Sequence, residues 1–98
     1  MSNKVFWSEK AKNDYKGILN YLDQNWSSKE VIQFADKLEQ NIGRLVLNPE
    51  IGASSKKKLV RRLVISKQTS IYYKVIRGSI YLITLYDNRQ NPDKLRYL

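Results

Sequence analysis

Apolar positions recur along the chain at a helical period in its first half and at a strand period in its second. Lys4-Val5-Phe6-Trp7 is a short run of β-formers and predicts a first strand. Ser8 then stands where an N-cap belongs, with Glu9 in a first turn that favours negative charge. Ala11, Tyr15, Ile18, Leu19 and Leu22 follow at helical offsets, so a helix is expected from Ser8 to Asn25. Gly17 inside it costs about 1 kcal/mol relative to alanine. Ser27-Ser28-Lys29-Glu30 matches a capping box, in which serine and glutamate side chains take up free backbone N–H groups. Val31, Phe34, Ala35, Leu38, Ile42 and Leu45 form a second apolar stripe that runs to Leu47. Asn48-Pro49 ends it, because proline disfavours α geometry in the residue before it. The very short turn between the helices predicts an antiparallel hairpin, with Trp26 plugging the end of its core.

Glu50 to Ser55 reads as a polar loop with Gly52. Three β-rich runs follow, Leu59–Ser66, Thr69–Arg77 and Ser79–Tyr86, with Lys67-Gln68 and Arg77-Gly78 as tight turns. Together they make a three-stranded antiparallel meander, to which Val5–Trp7 can add a fourth strand at one edge. The expected fold class is α+β: an N-terminal α-helical hairpin packed on an antiparallel three- to four-stranded β-sheet. Residues 1–98 form a single domain. Asp87 to Leu98 is a polar tail with Pro92. Alternation along Thr69–Arg77 turns Ile71, Tyr73 and Val75 toward the helices and Ser70, Tyr72 and Lys74 away. Even turns would place Val60, Arg62, Val64, Ile80, Leu82 and Thr84 on the helix side. Arg61, Leu63, Ile65, Tyr81, Ile83 and Leu85 would then lie on the open side. An odd turn would reverse that parity and put Arg62 outside instead.

Composition narrows the chemistry. The chain has neither cysteine nor histidine, which excludes disulfides, Ser-His-Asp and Cys-His catalysis, and argues against a transition-metal site. No metal or organic cofactor is implied. No apolar run approaches the roughly 20 residues of a membrane span and no signal-peptide core precedes the first strand, so the expected compartment is cytoplasmic, with no membrane partner. The net charge of +9 is unevenly placed: residues 1–50 are neutral, while residues 51–98 hold eleven Lys/Arg against Asp87 and Asp93. Such asymmetry points to a polyanionic partner, whether nucleic acid, acidic membrane surface or acidic protein. The open face mixes arginine, tyrosine and aliphatic groups. That mixture suits phosphate pairing and base stacking, and equally a protein interface. Leu63, Ile65, Ile83 and Leu85 would leave an apolar patch there, for a partner or for the chain's own tail to cover.

The order strand, helix hairpin, basic loop, meander and basic tail resembles a toxin of the RelE/ParE superfamily of bacterial type II toxin–antitoxin systems. The segments that carry the resemblance are Phe6-Trp7-Ser8-Glu9-Lys10-Ala11, Ile18-Leu19-Asn20-Tyr21-Leu22, Leu45 to Gly52, Arg61-Arg62-Leu63, Ile71-Tyr72-Tyr73-Lys74-Val75 and Tyr86 to Pro92. They span almost the whole chain. The resemblance implies a cognate antitoxin that wraps the toxin, and the basic second half implies that its segment is acidic. It also implies one of two activities. A ParE-like toxin binds DNA gyrase and blocks it. A RelE-like toxin is an endoribonuclease that cuts mRNA on the ribosome, using a base, an acid and cations around the phosphate. The ribonuclease branch implies two basic residues two apart on one strand, where Arg61 and Leu63 stand. It also implies an arginine where Ser70 stands, and a basic residue followed by a tyrosine near the C-terminus, where Arg89, Lys94 and Tyr97 lie.

The candidate residues follow from both readings. Arg61, Arg89 and Tyr86 are the catalytic candidates if the chain is a ribonuclease. Lys56, Lys57, Lys58, Arg61, Lys74 and Arg89 are candidates for contact with a target or nucleic acid. Leu63, Tyr72, Tyr81, Ile83 and Leu85 are candidates for partner binding. Arg62 is expected to pair with an acidic helix residue such as Asp14 or Glu39, Asp87 to hold Arg89, and Arg77 to be plain surface.

Overall fold

A computed structural model describes residues 4–57 and 59–89. Its elements are β1 (Val5–Trp7), α1 (Glu9–Asn25), α2 (Ser28–Leu47), β2 (Ala53–Ser54), β3 (Arg61–Val64), β4 (Thr69–Ile76) and β5 (Ser79–Asp87). The five strands form one sheet in the order β1-β5-β4-β3-β2, antiparallel except for β1, which runs parallel to β5. The fold is thus the expected helical hairpin on a meander. One strand was not anticipated: Ala53–Ser54, inside the loop after α2, pairs with Arg61–Arg62 of β3.

The helix boundaries follow the local signals. The Ser8 hydroxyl accepts the Ala11 N–H at 2.9 Å and caps α1, while donating at 2.7 Å to the Ile83 carbonyl of β5. At the start of α2 the capping box forms differently from expectation. The Ser27 hydroxyl donates to the Glu30 carboxylate, and no backbone N–H of the helix is capped by the serine side chain. Nor does Trp26 fill the hairpin end; it is 53% exposed, because the turn holds it at the rim.

One core joins Ile18 and Leu22 of α1, Phe34, Leu38 and Leu45 of α2, and Leu63, Ile71, Tyr73, Ile80, Leu82 and Leu85 of the sheet. On the opposite face a smaller cluster gathers Val60, Tyr72 and Tyr86, with Ile83 against it. The parity expected from even turns therefore fails, for two physical reasons. The β3–β4 connection pairs Ile65 with Thr69 and leaves Ser66, Lys67 and Gln68 in the turn, an odd number. The Ser66 hydroxyl holds that turn by accepting from Gln68 N–H at 3.2 Å and Thr69 N–H at 3.1 Å. This puts Leu63 in the core and Arg62 and Val64 outside.

The second reason is a β-bulge. Tyr72 pairs with Thr84 but Tyr73 pairs with Leu82, so Ile83 is an extra residue in β5. Beyond it the alternation reverses: Leu85 enters the core and Tyr86 joins the outer cluster. A buried carboxylate secures the irregular backbone. Asp14 of α1 accepts from the Leu85 N–H at 3.1 Å and from the Thr84 hydroxyl, and pairs with Lys10 at 2.8 Å. Asp14 is thereby committed, and the expected ion pair between it and Arg62 does not form.

Candidate functional site

The sequence candidates separate into three places. The first is the open face of the sheet, made by β1, β5, β4 and β3. Phe6 and Tyr81 stack at 5.1 Å between ring centroids, and Tyr81 lies opposite Lys74 across the β4–β5 ladder. Arg62 lies opposite Tyr72, its guanidinium 6.0 Å from the ring centroid, and its Nε donates to the Ser70 hydroxyl at 3.2 Å. Val64 and Ile76, at 53% and 47% exposed, extend the apolar part, while Tyr72 and Ile83 are its buried and half-buried floor. Acidic side chains are absent from this face among the described residues; those present lie on the two helices, at Glu50 or at Asp87. Of the partner-binding candidates, Tyr81, Tyr72 and Ile83 are here, and Leu63 and Leu85 are not: the odd turn and the bulge send both into the core. Arg62, which sequence reasoning directed toward a helix carboxylate, is the arginine this face presents.

The second place is the loop between α2 and β2. Arg61 projects to the helix side of β3, and its Nη1 donates to the carbonyls of Gly52 at 2.7 Å and Glu50 at 3.2 Å. Tyr73 reaches the same loop from β4, donating from its hydroxyl to the Pro49 carbonyl at 2.8 Å and accepting from the Gly52 N–H at 2.8 Å. Burial pushes the Tyr73 pKa up, against the opposing pull of the Gly52 N–H and the Arg61 charge, which keeps the hydroxyl protonated as a donor. Arg61 is therefore anchored in main-chain carbonyls. Lys56 and Lys57 stand exposed just beyond, and Lys58 lies outside the described residues.

The third place is the end of β5. Asp87, fully buried, accepts from the Thr69 hydroxyl at 2.7 Å and from Arg89 through Nε at 3.0 Å and Nη2 at 2.8 Å. Burial by itself would raise the Asp87 pKa; the bonds from Arg89 and Thr69 outweigh it and hold the carboxyl below the usual carboxylate range. The hydrogen bond to Asp87, with that carboxylate's charge, raises the Arg89 pKa. Arg89 also lies 5.5 Å from the Trp26 ring centroid, a cation–π contact absent from the sequence reading, which does account for the pairing with Asp87. The cleft beside it, about 390 Å³, is bounded by α2 and the β3–β4 turn. Lys94 and Tyr97, which the ribonuclease pattern would use, lie outside the described residues.

Arg61, Arg89 and Tyr86 are thus not brought together. Arg61 pairs across from Tyr73 within the sheet, Arg89 lies beyond the Thr69–Asp87 end of it, and Tyr86 is buried on the other face. Among the described residues no helix is long and apolar enough to cross a membrane.

A helical hairpin packed on a five-stranded mixed sheet matches the RelE/ParE-like α+β fold. The chain is similar to a chromosomal ParDE toxin–antitoxin protein from P. aeruginosa, at 18% identity and TM-score 0.74 over 87% of this chain and 95% of that one. It is also similar to a chain of the RelBE2 toxin–antitoxin complex of Mycobacterium tuberculosis, at 11% identity and TM-score 0.62 over 89% and 99%. The YoeB dimer of Staphylococcus aureus matches at 19% identity and TM-score 0.60 over 86% and 94%. No curated protein matches the chain in sequence. The family described as the ParE toxin of the type II toxin–antitoxin system parDE matches residues 5–92. The chain belongs to that family, as a toxin of the type II toxin–antitoxin class.

Proposed function

We propose that this toxin is ParE-like in action: it binds a macromolecular target, DNA gyrase, through the open face of its sheet, in the cytoplasm. A cognate antitoxin with an acidic segment neutralises it. The observation that carries the reading is the dispersal of the ribonuclease candidates. Cleavage by 2′-hydroxyl attack needs a base, an acid and cations converging on one phosphate within hydrogen-bond reach. Arg61 is instead held by the Glu50 and Gly52 carbonyls, Arg89 by Asp87, and Tyr86 by the packing of the far face. The open face has the composition of a protein-binding hot spot, with tyrosine and arginine among exposed apolar groups. Similarity to a chain of the RelBE2 toxin–antitoxin complex supports the antitoxin.

The test is a DNA supercoiling assay with purified gyrase, run beside primer extension on mRNA in a translating extract. Supercoiling should fall as the toxin is added, and Arg62→Ala and Tyr81→Ala should each weaken the inhibition about tenfold or more, the scale of a hot-spot truncation. The mRNA should stay intact. Cleaved mRNA with unimpaired gyrase would replace this reading with the RelE-like endoribonuclease.

A further inference from the structure

Among the described residues only two other than glycine have positive φ, Leu59 at 67° and Arg77 at 52°. Each holds a left-handed conformation that costs a residue with a Cβ roughly 1–2 kcal/mol. Leu59 lies in the β2–β3 connection, and Arg77 with Gly78 forms the two-residue β4–β5 turn, where asparagine is the residue best suited to the first position. The two are distant in sequence, yet both line one cleft of about 540 Å³ at the end of the sheet.

The chemistry of that cleft is mixed. Lys57, Arg61 and Arg77 contribute three positive charges against the one carboxylate of Glu50. Leu59, 72% exposed, and Val60 and Val75 contribute apolar surface. Ser54 adds a hydroxyl and belongs to β2, an edge strand paired on one side only among the described residues. No aromatic ring lines the cleft, so it has no platform for stacking bases. Cationic side chains beside exposed apolar ones suit an extended acidic peptide, whose carboxylates meet the charges while an apolar side chain packs on Leu59.

We propose that this cleft anchors an acidic peptide segment bearing an apolar side chain that packs on Leu59. That this segment belongs to the cognate antitoxin rests on the reading above; the chemistry of the cleft does not. The two strained residues then have a reason. A glycine at 59 and an asparagine at 77 would relax the backbone, but would remove the apolar contact and one of the charges.

The experiment titrates the ¹⁵N-labelled full chain with an acetylated, amidated hexapeptide, Glu-Leu-Asp-Leu-Glu-Asp, and separately with hexathymidylate. The peptide should cause saturable amide shifts confined to residues 54–57, 59–61 and 75–78, weakening as salt is raised. Leu59→Gly and Arg77→Asn should each lower peptide affinity about fivefold, the scale of one partly exposed contact. Their melting temperatures should equal or exceed that of the parent chain. Absence of a saturable shift, a response to hexathymidylate alone, or variants that bind as the parent does would each overturn the proposal. Both variants should still inhibit gyrase. A chain that binds the peptide but leaves gyrase unimpaired keeps the cleft assignment and loses the target reading.

Discussion

Replacing Tyr73 by phenylalanine removes one oxygen from the centre of the molecule and should be among its costliest conservative changes. The hydroxyl accepts the buried N–H of Gly52 and donates to the Pro49 carbonyl, both at 2.8 Å. Phenylalanine fills the same space, so no cavity term enters. The Gly52 N–H loses its partner at a cost of about 1–3 kcal/mol, and the lost bond to Pro49 adds about 1 kcal/mol. The expected total is about 3 kcal/mol, which in a domain of this size lowers the melting temperature by roughly 12–24 °C. Thermal melting followed by circular dichroism measures it. Urea titration should give a lower midpoint at unchanged slope, because the surface exposed on unfolding is the same. Exchange of the Gly52 amide should accelerate, since its protection comes from this bond. A loss below about 1 kcal/mol would refute the reasoning, because it would mean that the loop satisfies these groups without Tyr73.

Gly52→Ala tests the same contact from the other side. A Cβ there would meet the Tyr73 hydroxyl at 2.7 Å, its Cε1 at 2.8 Å and the Arg62 carbonyl at 2.9 Å, so destabilisation is expected in urea titration and Tyr73→Phe should not rescue it. Asp14→Ala strips the Leu85 N–H, the Thr84 hydroxyl and Lys10 of their shared carboxylate and should cost about 3–5 kcal/mol by urea titration, with Asp14→Asn milder. Asp87 has a depressed pKa in the folded state. Its stabilisation is therefore fully present above the unfolded carboxylate value of about 3.9 and is lost as pH falls through the lower folded one. Melting temperature against pH should show this acid loss, and Asp87→Asn should flatten it.

The helices were legible because their determinants are local. The apolar offsets from Ala11 to Leu22 and from Val31 to Leu45, the cap at Ser8 and the stop at Asn48-Pro49 act within a few residues, and they place α1 and α2 where they are found. The inward set Ile71 and Tyr73 and the turn at Arg77-Gly78 were legible for the same reason. The candidate site was legible only in part. A strand face is a matter of parity, and one residue reverses it. Ser66 makes the β3–β4 turn odd by capping it, which moves Leu63 inward and Arg62 outward. Asp14, on a helix far away in the chain, accommodates the extra residue Ile83, which moves Leu85 inward and Tyr86 outward. Arg61 looked like a free cation, but the carbonyls that engage it belong to a loop that only the packed fold brings beside it. The sequence by itself determined the elements, their order and the basic second half; which side chains share a surface was decided by hydrogen bonds between residues that meet only after the chain has folded.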